Sequence, residues 1–238
     1  MIFILSIACV SQERIKRSDA RTNLATEYLK EGNSTDAIRT LEEAIKLNRK
    51  NAKAHEKLAL AYASKEAYAL AEDEFKSSLK IEFYPETANN YGLLLTSMGR
   101  YDEAVLQFET AIADLTYRNT AIALNNKGYA EYLNMDYQQA VKSLESSIRR
   151  APNLCQARYN LGLVQEKLEA NAQALEHFQV AVKLCGEEAL GAYYQTGLLQ
   201  LKLNQKSLAC SDLQFVVEKA AGTPLATQAA EHLPLACQ

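Results

Sequence analysis

Small and apolar residues return along the chain at helical spacing, and the whole pattern then repeats. Ala37, Ala71, Ala104, Ala140, Ala174 and Ala209 are separated by 34, 33, 36, 34 and 35 residues. A second series, Ala25, Ala59, Gly92, Gly128, Gly162 and Gly197, runs 12 residues upstream of the first. Two series at one period describe one structural unit copied six times. In the fifth copy, Arg158, Leu161, Gly162 and Gln165 recur at helical spacing in one segment, and Ala174, Phe178 and Ala181 in the next. The spacing predicts two helices, A and B, joined by a short link and therefore antiparallel. Gly162 and Ala174 are expected to be small because the helices cross closely there, with Phe178 as the knob beside them. A glycine inside a helix costs about 1 kcal/mol relative to alanine, so its recurrence calls for such a packing reason.

The other copies carry the same positions: Leu24, Ala25, Tyr28, Ala37, Leu41 and Ala44; Leu58, Ala59, Tyr62, Ala71, Phe75 and Ser78; Gly92, Leu95, Ala104, Phe108 and Ala111; Leu124, Gly128, Ala140, Leu144, Ser147 and Pro152; and Gly197, Ala209 and Leu213. A period near 34 residues marks helix-pair repeats, and residues 18 to 220 resemble the tetratricopeptide family. The resemblance implies an all-α, right-handed α-solenoid of six helix pairs, about 18–51, 52–84, 85–120, 121–154, 155–189 and 190–220. Thr223-Pro224 opens a further helical stretch, with proline well placed at a helix start. Residues 221–238 are thus expected to form a capping helix and tail.

Composition narrows the chemistry. The net charge is −3 and no Lys/Arg block occurs, so nothing marks a nucleic-acid binder. His55, His177 and His232 fall in different copies and none belongs to a cluster with ligand spacing. No phosphate loop, nucleophile elbow or paired-acid motif is present. The expectation is a non-enzyme with no cofactor and no metal, acting as a monomer.

The N-terminus reads MIFILSIACV, too short an apolar run to span a bilayer. It is either a buried or frayed terminus or the end of an export signal. Ser6-Ile7-Ala8-Cys9 resembles a lipobox, which would make Cys9 the lipidated residue, 1–9 a signal remnant and 10–17 a polar tether. Four cysteines remain. Cys155 opens helix A of the fifth copy and Cys185 closes its helix B; Cys210 opens helix B of the sixth and Cys237 follows the cap. Antiparallel helices bring each pair together, so Cys155–Cys185 and Cys210–Cys237 are disulfide candidates of an exported protein. Buried free thiols are the alternative.

In a solenoid of this kind helix A lines the concave wall, at roughly the second, fifth, ninth and twelfth positions of each copy. Copies three to six place Asn89, Leu93, Asn125, Tyr129, Tyr132, Tyr159, Leu163, Tyr194 and Leu198 there. This predicts a Tyr-lined groove with amide groups, suited to a protein partner; the alternative is that some of these rings pack between helices. Lys and Arg are missing from these slots, which argues against a groove that clamps carboxylates.

Asn89-Asn90-Tyr91-Gly92, then Leu94-Leu95, then Gly99-Arg100-Tyr101-Asp102-Glu103-Ala104 resemble the type IV pilus biogenesis lipoprotein family, the pilotins. That resemblance implies a lipid-anchored scaffold on the periplasmic face of the outer membrane. It would bind pilus secretin subunits and promote their localisation and multimer assembly. A general repeat scaffold in the periplasm or cytoplasm is the second reading.

Overall fold

The computed structural model describes residues 2–237, and side-chain surroundings from Gln12 onward. All regular structure among the described residues is helical, and the chain divides into two compact units, residues 1–118 and 119–238. The junction follows the third copy, where the alanine series takes its longest step, 36 residues from Ala104 to Ala140.

The first unit holds α1 (Ile2–Lys30), α2 (Ser34–Leu47), α3 (Ala52–Ala63), α4 (Tyr68–Ile81), α5 (Pro85–Ser97) and α6 (Tyr101–Ala113). The second holds α7 (Thr120–Leu133), α8 (Tyr137–Arg150), α9 (Cys155–Lys167), α10 (Asn171–Cys185), α11 (Leu190–Lys202), α12 (Lys206–Lys219) and α13 (Pro224–Ala236). Odd and even helices pair as A and B, and in each unit successive pairs stack. The fold is an α-solenoid of the tetratricopeptide type. Residues 10–17, expected as a tether, belong to α1 instead. The stretch Gln12-Glu13-Arg14-Ile15-Lys16-Arg17 holds good helix formers and neither Gly nor Pro, so the first A helix propagates through it.

The small-residue series marks where A and B touch. Leu41, Phe75, Phe108, Leu144, Phe178 and Leu213 each lie four residues after a series alanine, and all are completely buried. A β-carbon added to Gly92 would meet Phe108 at 2.7 Å, and one on Gly128 would meet Leu144 at 2.6 Å. Buried hydroxyls tie the same pairs together. Ser78 Oγ donates to Ala52 O at 2.8 Å and Ser147 Oγ to Ala121 O at 2.7 Å. Such bonds contribute about 1 kcal/mol each and keep these two buried hydroxyls paired.

Every A helix ends in one turn. Gly32, Glu66, Gly99, Met135, Glu169 and Asn204 all have left-handed backbones, with φ between 59° and 74°. Each lies five residues before a series alanine. The following N–H reaches back five residues, as in Asn33 N to Tyr28 O (2.8 Å), Asp136 N to Glu131 O (2.8 Å) and Gln205 N to Gln200 O (2.8 Å). This is the Schellman arrangement, which satisfies carbonyls that a helix end would otherwise leave open. The residue making that bond is also the N-cap of helix B, so the turn spans few residues and fixes the antiparallel geometry. At the C-terminal end, Thr223 Oγ1 accepts from Ala226 N (3.3 Å) and starts α13. That helix packs Ala226, Ala229 and Ala236 with Leu213 and Val216 of α12.

Candidate functional site

The second unit carries a groove on its A helices. Asn125, Asn126 and Tyr129 of α7 and Gln156, Tyr159, Asn160 and Leu163 of α9 line a cavity of about 230 Å³. The α9 residues sit at i, i+3, i+4 and i+7, one face of a helix. A cavity of about 350 Å³ adjoins it, sharing Gln156 and Tyr159 and continuing past Glu188, Gly191 and Ala192 to the Cys155–Cys185 pair. Gly191 makes this junction possible. The Tyr159 hydroxyl lies 3.2 Å from where a β-carbon on residue 191 would stand.

Buried amides form the floor. Asn160 Nδ2 donates to Asn125 Oδ1 (2.9 Å), Gln156 Nε2 to Asn160 Oδ1 (3.1 Å), and Asn125 Nδ2 to Asn126 Oδ1 (3.3 Å). Asn125 and Asn160 are buried, and the chain of bonds keeps their polar atoms paired. The tyrosines stand above it. Tyr129 is 37% exposed, the most open ring of the set. Tyr159 is half-buried, with its ring 5.7 Å from that of Phe178. Burial pushes the Tyr159 hydroxyl above the usual phenol range, a hydrogen bond with Gln195 opposes this, and the Tyr129 and Glu166 charges add to the rise. Burial also raises Tyr132, with Tyr137 and Glu166 adding to it. No Lys or Arg lines either cavity.

The nine residues expected in one groove do not share one site. Asn125, Tyr129, Tyr159 and Leu163 come together as described. Tyr132 stacks at 6.1 Å on Tyr129 but packs into the cluster of Ala140, Leu144, Leu161 and Val164. Tyr194 packs with the α12–α13 cluster, 6.2 Å from the His232 ring. Leu198 is half-buried on α11. Tyr194 and Leu198 stand in the slots that Tyr159 and Leu163 fill one copy earlier; there α13 packs against α11, and Tyr194 joins the α12–α13 cluster instead of lining an open groove. Asn89 and Leu93 belong to the first unit. Asn89 is buried, whereas Leu93 is exposed and lines a separate cavity of about 210 Å³ with Leu60, Tyr68, Asn90 and Ser97. Gln156, Asn160, Asn126 and Glu188 were missed. The slot rule held the signal for Gln156 alone, the second position of the fifth copy; Asn126 and Asn160 fall one residue after a slot, and Glu188 lies between α10 and α11.

The structure joins Cys155 to Cys185, with Cα atoms 6.0 Å apart, and Cys210 to Cys237, 5.0 Å apart. The first bond ties the start of α9 to the end of α10. The second ties the start of α12 to the residue after α13. The Cys9 side chain lies outside the described residues. Among the described residues, no helix is long and apolar enough to cross a membrane, and no cluster of His, Cys, Asp and Glu could hold a metal.

Paired helices at this period, with a groove on the A face, define a helical-repeat binding protein. The chain belongs to the tetratricopeptide repeat family, whose model matches residues 22–86, 92–154 and 134–189. It is similar to the type IV pilus assembly protein PilF of Pseudomonas aeruginosa, 28% identical over 137 residues. That match covers 57% of this chain and 54% of PilF, so the chain spans about half the length of this relative. An uncharacterised protein of Haemophilus influenzae is 29% identical over 151 residues, 60% of this chain and 84% of that protein. Among solved structures, P. aeruginosa PilF superposes with a TM-score of 0.79 at 21% identity, covering 92% of this chain and 99% of that one. PilW, a type IV pilus biogenesis factor, gives 0.80 at 22%, covering 90% and 98%. At these identities the structural likeness speaks for the fold.

Proposed function

We propose that this chain is a pilotin: a lipoprotein scaffold at the outer membrane that binds type IV pilus secretin subunits and promotes their localisation and multimer assembly. The observation that carries the reading is the similarity to PilF, a type IV pilus assembly protein, over 137 residues. The Tyr-bearing groove of the second unit supports it, since aromatic side chains beside amides give large contact area and adaptable hydrogen bonding. On this reading Cys9 carries lipid and the groove holds a secretin segment.

The test is secretin assembly. Deleting the gene should abolish heat-resistant secretin multimers in the outer membrane, and their persistence would sink the reading. Cys9→Ala should shift the protein out of the outer-membrane fraction and abolish labelling by a fatty-acid analogue. Multimers that persist would leave the general scaffold, the role common to helical-repeat binding proteins.

A further inference from the structure

The groove of the second unit has a charge character that narrows its partner. Its face on α9 runs from Gln156 through Tyr159 and Leu163 to Glu166, helical neighbours on one side. Glu188 lies at the Gln156 end, in the wall of the larger cavity. Glu166 continues the α9 face three residues past Leu163, just outside the smaller cavity, and Glu188 walls the larger one, so a carboxylate lies toward each end of the Tyr-bearing face. Among the described residues no Lys or Arg pairs with Glu166 or Glu188, although Glu187 next door is paired with Lys219 at 2.8 Å. Glu166 is half-buried and acts electrostatically on Tyr132 and Tyr159. A half-buried carboxylate beside aromatic faces, without its own cation, suits a cation brought by a partner. Tyrosine faces attract ammonium and guanidinium groups by their quadrupole, and a carboxylate adds a charge-assisted hydrogen bond.

We propose that this groove receives an extended, basic segment of a partner protein. One Arg or Lys meets Glu166 and the Tyr129 and Tyr159 rings, and a second meets Glu188. Gln156, which shares a cavity wall with Glu188, lies ten residues before Glu166 on α9, about 15 Å of helix. An extended chain rises about 3.3 Å per residue and points every second side chain the same way, so two cations four residues apart match that span. This inference rests on reading the groove as a partner site and adds the chemistry of what fills it.

The test uses the full chain and three labelled, end-blocked decapeptides on a Ser/Leu background. One carries two arginines four residues apart, one carries citrulline at both places, and one carries glutamate. Fluorescence anisotropy at low salt should show the arginine peptide binding about tenfold tighter than citrulline, with glutamate weakest. Glu166→Gln and Glu188→Gln should each lower the arginine affinity about fivefold and leave the citrulline affinity unchanged. Thermal unfolding of both variants should match the parent. Tyr129→Leu should weaken the arginine peptide more than the citrulline peptide. Equal binding of arginine and citrulline peptides, or binding of neither, overturns the proposal. Its failure is distinguishable from that of the pilotin reading. If secretin multimers still depend on the protein and on Tyr129 while arginine shows no advantage, the basic segment is wrong and the groove stands.

Discussion

Phe178 occupies the space that a side chain on Gly162 would need: a β-carbon there would lie 2.6 Å from its Cε1 atom. On an exposed helix, Gly→Ala gains about 1 kcal/mol. Here the sign should reverse, because Phe178 is completely buried and cannot move without opening the α9–α10 crossing. Gly162→Ala should cost roughly 1–3 kcal/mol, as overpacking does. Adding Phe178→Leu should recover part of the loss. Urea unfolding of the single and double variants checks both statements.

Met135 holds φ 65° in the turn that ends α7, and its side chain is 74% exposed. A non-glycine residue in this region costs about 1–2 kcal/mol, and little packing offsets it. Met135→Gly should therefore raise the unfolding free energy by about 1 kcal/mol, read as a higher urea midpoint at unchanged slope. Gly99→Ala, with φ 73° and open space around it, should lower stability by a similar amount.

His55 on α3 bonds Glu74 on α4 through Nδ1 and the Arg49 carbonyl through Nε2 (3.2 Å). The Glu74 bond raises the His55 pKa, while burial opposes it. A raised folded pKa means that protonation favours the native state. The contribution is fully present below the unfolded value of about 6.5 and fades as pH climbs through the folded value. Unfolding free energies at pH 5.5 and 8.5 should show that loss in the parent, and His55→Gln should flatten it.

Cys155–Cys185 and Cys210–Cys237 each close loops of 30 and 27 residues. Closing loops of this size contributes about 3 kcal/mol by restricting the unfolded chain. The Cys155→Ala, Cys185→Ala variant should lose about that much, measured by thermal unfolding without reductant. Intact mass spectrometry of the non-reduced protein should find no free thiol at the four positions.

The six helix pairs were legible because the helix crossings leave room only for small residues, and six copies of one constraint cannot be missed. The C-terminal helix was legible from Thr223-Pro224. The left-handed turns were not. Gly32, Gly99 and Asn204 are ordinary residues for that backbone, but Glu66, Met135 and Glu169 are not, so composition hides the position. Only counting back five residues from each alanine exposes it. The groove was half legible. Slot counting found Tyr129 and Tyr159, yet it also selected Tyr132, which packs into the α8–α9 cluster, and Tyr194, whose slot equals that of Tyr159 but is taken up by the α12–α13 cluster at the end of the array. The amide chain from Asn126 to Gln156 depends on how α7 meets α9, a tertiary distance that no single helix encodes. The helical course of residues 10–17 was overlooked because charge was read as a sign of a linker, whereas Gln, Glu, Lys and Arg extend a helix readily.

Both sulfur bonds lie in the second unit, and one of them walls the groove. Through these bonds the redox state of a preparation acts on that unit. In protein made in a reducing cytosol, the groove-bearing part would rely on packing alone. A binding assay on such material would under-report affinity for reasons unrelated to the ligand, and the deficit should vanish on oxidative refolding. The place of manufacture, in effect, becomes a control experiment.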